Sequence, residues 1–183
     1  MRGIAVLALG VTVVVVVVVT MLGRSTPPDG AQIMALQTAL HDPVQHWGRI
    51  EVLGMQPAIS DLRTGTGVPA TTIAAEARAW QDGLAQVGRQ LDTIDAPARL
   101  APAMTLFDQA LGDYLRAGAL VQQATAVEGP ARSALLDDAV AAAQNGDCDY
   151  DDAGVAIQQA RLRAGLGTTT DFPNHACAQH TWR

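Results

Sequence analysis

Residues 70–94, ATTIAAEARAWQDGLAQVGRQLDTI, decide the fold class. Within them Ile73, Ala77, Trp80, Leu84, Val87, Leu91 and Ile94 recur at spacings that alternate between four and three. An α-helix turns once in about 3.6 residues, so these seven side chains share one stripe. A stripe kept up this long is the seam of helices packed near 20° in a bundle. Asp95-Ala96-Pro97 ends the segment, because proline lacks an amide hydrogen and disfavours helix in the residue before it.

The same spacing continues on both sides. Leu100, Met104, Phe107, Leu111, Tyr114, Gly118 and Val121 form the next seam, with Pro102 marking the start of its helix. Glu128-Gly129-Pro130 divides it from a last segment, about 131–166, whose seam runs Leu136, Ala139, Ala143, Gly146, Tyr150, Ala153, Ile157, Ala160 and Ala164. Upstream, Ile33, Leu36, Leu40, Val44, Trp47 and Ile50 define a helix over about 31–62. Pro43 predicts a kink there, and Gly54–Pro57 a break. Thr64 to Val68 is a loop, and Pro69 suits the first position of the following helix. No run alternates as a strand would. The expectation is an all-α, antiparallel up-down-up-down four-helix bundle over residues 31–166, its helices joined by short turns.

A different pattern precedes this body. Met1-Arg2-Gly3 is followed by an uncharged apolar run over residues 4–22, with Val13 to Val19 unbroken. As a helix it would extend roughly 28 Å, close to a bilayer core. The run is long for a cleavable signal, and no small-x-small cleavage site follows it. Residues 1–3 are therefore expected as a cytoplasmic leader and 4–22 as a retained transmembrane signal anchor in the lipid bilayer. Residues 23–30 would be a proline-stiffened linker, with Asp29 available as a helix cap. The remainder would lie outside the cytoplasm, a single-pass cell-membrane protein with its N-terminus inside.

Cysteine usage suits that destination. Cys148 and Cys177 are the two in the chain, and an even pair in an exported protein reads as a disulfide, with two unpaired thiols as the alternative. Bridged, they would tie the tail, residues 167–183, back to the middle of the last helix.

Composition narrows the function. There is no lysine, and the net charge is −6. Setting aside Arg2 and Arg24, 10 arginines face 18 acids, so the expected extracytoplasmic part carries −8 and offers nucleic acid no attractive surface. Aromatic residues make up 4%, which leaves a core of Ala, Leu, Val and Ile suited to closely packed helices.

Asp147-Cys148-Asp149-Tyr150-Asp151-Asp152 is the densest acidic stretch. It opens like a calcium loop but has Asp152 where the turn needs glycine and Gln158 where a bidentate Glu is needed, so it reads as a solvated helix face. His175, Cys177 and His180 could together ligate a metal, yet their spacing matches no paired zinc motif, and Cys177 is better used in a disulfide. Trp47 and Trp80 lie on the seams as core fillers. No serine stands in a nucleophile motif, and there is neither a phosphate loop nor an H-E-x-x-H. No catalytic, cofactor-binding or metal-ligating set is expected, and no enzyme activity.

Phe107-Asp108-Gln109-Ala110-Leu111-Gly112-Asp113-Tyr114, followed by Tyr150-Asp151-Asp152-Ala153 and Arg161, resembles a pattern in exported helical proteins of actinobacteria and their relatives. The similarity covers about residues 97–166. It implies a membrane-tethered or secreted helical bundle without an assigned activity, and it adds no catalytic residue. The expected role is structural, or interaction with a protein partner, at the cell envelope. The alternative is an extracytoplasmic ligand-binding or sensory module that acts through a partner.

Overall fold

The computed structural model describes residues 28–172. Its elements are α1 (Pro28–Ile50), a π-helical turn (Glu51–Met55), α2 (Gln56–Thr64), α3 (Ala70–Leu91), a 3₁₀ turn (Ala98–Leu100), α4 (Ala101–Ala124) and α5 (Gly129–Arg163). The described residues are all-helical and include no strand. None of these helices is long and apolar enough to cross a membrane. The anchor expected over residues 4–22 lies outside the described residues.

The seams read from the sequence form the interior. Ile73, Ala77, Trp80, Leu84, Val87 and Leu91 of α3 are all buried. So are Phe107, Leu111, Tyr114 and Val121 of α4, and Leu136, Ala139, Ala143, Ala153 and Ile157 of α5. Alanines recur along these stripes, so backbones approach closely. At Gly146 of α5 an added Cβ would stand 2.7 Å from the Tyr114 ring, so the aromatic side chain occupies the space glycine leaves.

Boundaries differ from the reading above in several places. α1 begins at Pro28, three residues inside the expected linker, and Asp29 is a first-turn residue whose carboxylate accepts from Arg99 at 2.7 Å. α3 ends at Leu91, and Thr93 and Ile94 continue only as turns that donate to Gln90 and Leu91. Pro69 precedes α3 as its cap. α4 stops at Ala124, and Gly129, with φ of 58°, opens α5 ahead of Pro130.

The largest departure is at Gly54–Pro57, where the helix was expected to break. The backbone stays right-handed throughout, and Gln56 donates its amide to Glu51 O, five residues back. A π turn accommodates one residue more than an α turn, and it places Pro57 in the first turn of α2, where a missing donor costs little. α1 likewise runs on through Pro43. Gly54 has its own role in the π turn: an added Cβ would lie 2.6 Å from Trp80 Nε1.

Candidate functional site

The acidic stretch of α5 is not a solvated face. Asp147 is 4% exposed and Asp151 1%, while Asp152 faces out. The seam through Gly146, Tyr150 and Ala153 is wide enough that the positions beside it also point inward, and Asp147 and Asp151 occupy two of them. Tyr114 of α4 donates its hydroxyl to Asp147 Oδ1 and also hydrogen bonds with Glu51, the first residue of the π turn.

Four further aromatic rings complete the cluster. Trp47 meets Tyr114 edge-on, with centroids 5.2 Å apart and planes at 87°. It meets Tyr150 at 5.5 Å and 69°. Phe107 in turn packs against Tyr150 and against Phe172 at the end of the described chain. Edge-to-face contacts of this kind contribute about 0.5–1.5 kcal/mol each beyond area burial.

A cavity of about 100 Å³ lies among these groups, lined by Val44, Trp47, Gly48, Glu51, Tyr114 and Tyr150. Trp47 and Tyr114 are buried and form its floor, whereas Val44, Gly48, Glu51 and Tyr150 are half-buried and form its rim.

Charge and burial act together on the tyrosines. Burial, then the Glu51 and Asp147 charges, hold the Tyr114 hydroxyl far above the ordinary phenol range. Burial, then Asp151 and Glu51, push Tyr150 up to about 12. Both therefore stay neutral donors at physiological pH. On the outer flank of α5, burial first, and Asp113 and Asp152 after it, raise Asp149 above the usual carboxylate value.

A second feature ties the chain after α5 to the same region. The buried Gln158 amide donates to Thr169 O at 2.6 Å and Phe172 O at 3.1 Å, and its carbonyl accepts from Thr169 N at 3.1 Å. Arg161 donates to Gly167 O at 3.1 Å and to Gln37 Oε1 of α1. Beyond Leu166 the chain therefore doubles back, with Phe172 buried against Phe107.

Of the residues singled out in the sequence, Trp47 and Trp80 are buried core residues. Cys148 takes part in a disulfide, and no described cysteine is free. Cys177, His175 and His180 lie outside the described residues. Among the described residues no three His, Cys, Asp or Glu side chains converge closely enough to hold a metal ion.

Glu51 had no place in the sequence reading, Asp147 and Asp151 were expected on a solvated face, and Gln158 entered only as a misfit to a calcium loop. Glu51 lies four residues after Trp47 and three after Gly48, on the face that those two residues line, beside the seam position Ile50. The signal available for Asp147 and Asp151 was their place one helical turn apart, flanking an unbroken seam.

Compared with known proteins, the chain matches no family model, no curated protein and no solved structure.

Proposed function

We propose that this chain is a membrane-anchored extracytoplasmic helical bundle with a structural or protein-interaction role at the cell envelope. Residues 4–22 are its signal anchor, and the body is an up-down-up-down arrangement of four rods, the first made of α1, the π turn and α2. The observation that carries the reading is the uncharged apolar run at residues 4–22, long enough to span a bilayer and joined to an all-helical body. Contacts that pair rising residue numbers on one rod with falling numbers on the next support the antiparallel order. Gln37, Trp47 and Arg63 meet Arg161, Tyr150 and Asp137, while Gln81 and Gly88 meet Gln122 and Leu111.

Fractionation of the native host tests the anchor. The chain is expected to sediment with membranes, to resist carbonate extraction and to keep its N-terminus. Protease added outside the cytoplasmic membrane is expected to digest the helical body. A soluble form starting near Ser25 would overturn retention of the anchor, and a body protected from external protease would overturn the orientation.

One observation favours the second reading, a ligand-binding module acting through a partner. The interior is not a dry Ala/Leu core: Glu51, Tyr114, Asp147 and Tyr150 converge beside the 100 Å³ cavity. Saturable binding of any small solute at that cavity supports this reading.

A further inference from the structure

The cavity has the composition of a cation cage. Its lining includes the rings of Trp47, Tyr114 and Tyr150, the last two set edge-on to the indole at 87° and 69°. Glu51 brings a carboxylate to the rim. Aromatic faces carry negative potential, and enclosed aromatic boxes with an adjacent carboxylate select alkylated ammonium groups over neutral solutes.

Size and access agree with such an occupant. About 100 Å³ equals roughly three water volumes, room for an ammonium head bearing methyl groups but too little for a drug-sized molecule. The half-buried rim of Val44, Gly48, Glu51 and Tyr150 leaves a way in from solvent. The cavity also lies beside the π turn, which begins at Glu51, and insertions of this kind recur at functional sites.

We propose that the cavity bounded by Trp47, Tyr114, Tyr150 and Glu51 binds the head of a small alkylammonium ion, carried either by a free solute or by a lipid headgroup. The proposal rests on the ligand-binding reading and gives it a ligand class. The rings hold the methyl groups by cation–π attraction and apolar contact, while Glu51 supplies the counter-charge at the mouth. At the half-buried rim the attraction between the ammonium charge and the Glu51 carboxylate is stronger than it would be in bulk water.

The test uses the full chain in phosphatidylglycerol vesicles, titrated with tetramethylammonium chloride and followed by tryptophan fluorescence, with sodium chloride as the ionic-strength control. Tert-butanol serves as a neutral solute of similar shape. Saturable quenching by tetramethylammonium but not by tert-butanol is expected. Glu51→Gln should weaken binding about tenfold or more. Tyr150→Phe, which keeps the ring, should leave it within about threefold. Should Glu51→Gln unfold, Tyr150→Leu replaces it as the variant expected to lose binding.

The same chain in phosphatidylcholine vesicles separates the two sources. A fluorescence shift there before any ligand is added, absent in Glu51→Gln, identifies the lipid headgroup; its absence leaves the free solute. Equal binding of tert-butanol would overturn the cation proposal and leave the ligand-binding reading standing. Failure of both solutes in folded protein, with no shift in phosphatidylcholine, would overturn the cation proposal alone.

Discussion

The hydroxyl of Tyr114 on α4 donates to the carboxylate of Asp147 on α5, and both groups are buried. A phenol has one hydrogen to give, and Glu51 faces the same oxygen from the π turn. Three elements are thus joined through one side chain at the level where Gly146 lets α4 and α5 come close. A mispaired register would take the Tyr114 donor away from the buried Asp147 carboxylate, so this contact favours one packing of the helices.

Tyr114→Phe removes the donor and keeps the ring. The loss in stability is expected at about 1–3 kcal/mol, the usual cost of a buried polar group deprived of its partner. Asp147→Asn, whose amide oxygen can still accept from Tyr114, should lose less. Urea unfolding of the two single variants and the double variant gives the coupling between them. An additive double variant would show that the two side chains do not interact.

Alkaline pH should unfold the protein through its tyrosines, of which the chain has two. Tyr150 ionises near 12 in the fold, against about 10 in an unfolded chain, so the fold favours the neutral phenol. That contribution is complete below pH about 10 and is lost as pH rises toward about 12, because the unfolded chain ionises first. Tyr150 alone accounts for about 2–3 kcal/mol over that window, and Tyr114, shifted in the same direction, adds to it. Tyrosinate absorbance should therefore stay low through pH 10 and then rise together with the loss of helical circular dichroism. A smooth titration centred at 10 with the helix intact would contradict the burial of both rings.

The Trp80–Gly54 contact makes the π turn a packing device. Trp80→Ala should open a cavity costing about 3–5 kcal/mol, and Gly54→Ala should destabilise by forcing its methyl into the indole. Thermal melts of the two variants check this. If Gly54→Ala melts like the parent, the ring is free to move away, and the close approach is not what glycine provides at this position.

The seams were legible because burial in helices follows spacing, and every seam residue of α3 from Ile73 to Leu91 is buried as the pattern implied. The cluster beside Trp47 was not legible, for two physical reasons. Asp147 and Asp151 read as solvated because charge usually is, whereas both are buried and Asp147 receives its donor, Tyr114, from α4, which spacing within α5 cannot reveal. Glu51 follows Trp47 by four residues, but a charge beside an apolar seam reads as solvated, and Gly54 and Pro57 signalled an irregularity after it without its π form. The path of residues 167–172 was likewise not legible, because Phe172 is the one large apolar side chain among them. The bonds that hold residues 167–172 come instead from the side chains of Gln158 and Arg161 to backbone carbonyls, a pairing specific to the folded chain.

Those anchors bear on the pairing of Cys148 with Cys177. Gln158 and Arg161 turn the chain back, and Phe172 is buried beside Phe107, which itself touches Tyr150, two residues from Cys148. Cys177 follows Phe172 by five residues, and an extended chain covers roughly 3.3 Å per residue, so the bridge to Cys148 requires a span from Phe172 of at most about 16 Å. Peptide mapping without reductant is expected to recover Cys148 and Cys177 joined within one chain. Reduction should lower stability by about 3–4 kcal/mol, the loop-closure value for a loop of this size. Gln158→Ala should weaken the docking of residues 167–172 without breaking the bridge, so its amides there should exchange faster while the mapped disulfide persists. A disulfide-linked dimer, or free thiols at both positions in protein from the native host, would refute the intramolecular bridge and return His175, Cys177 and His180 to consideration as metal ligands.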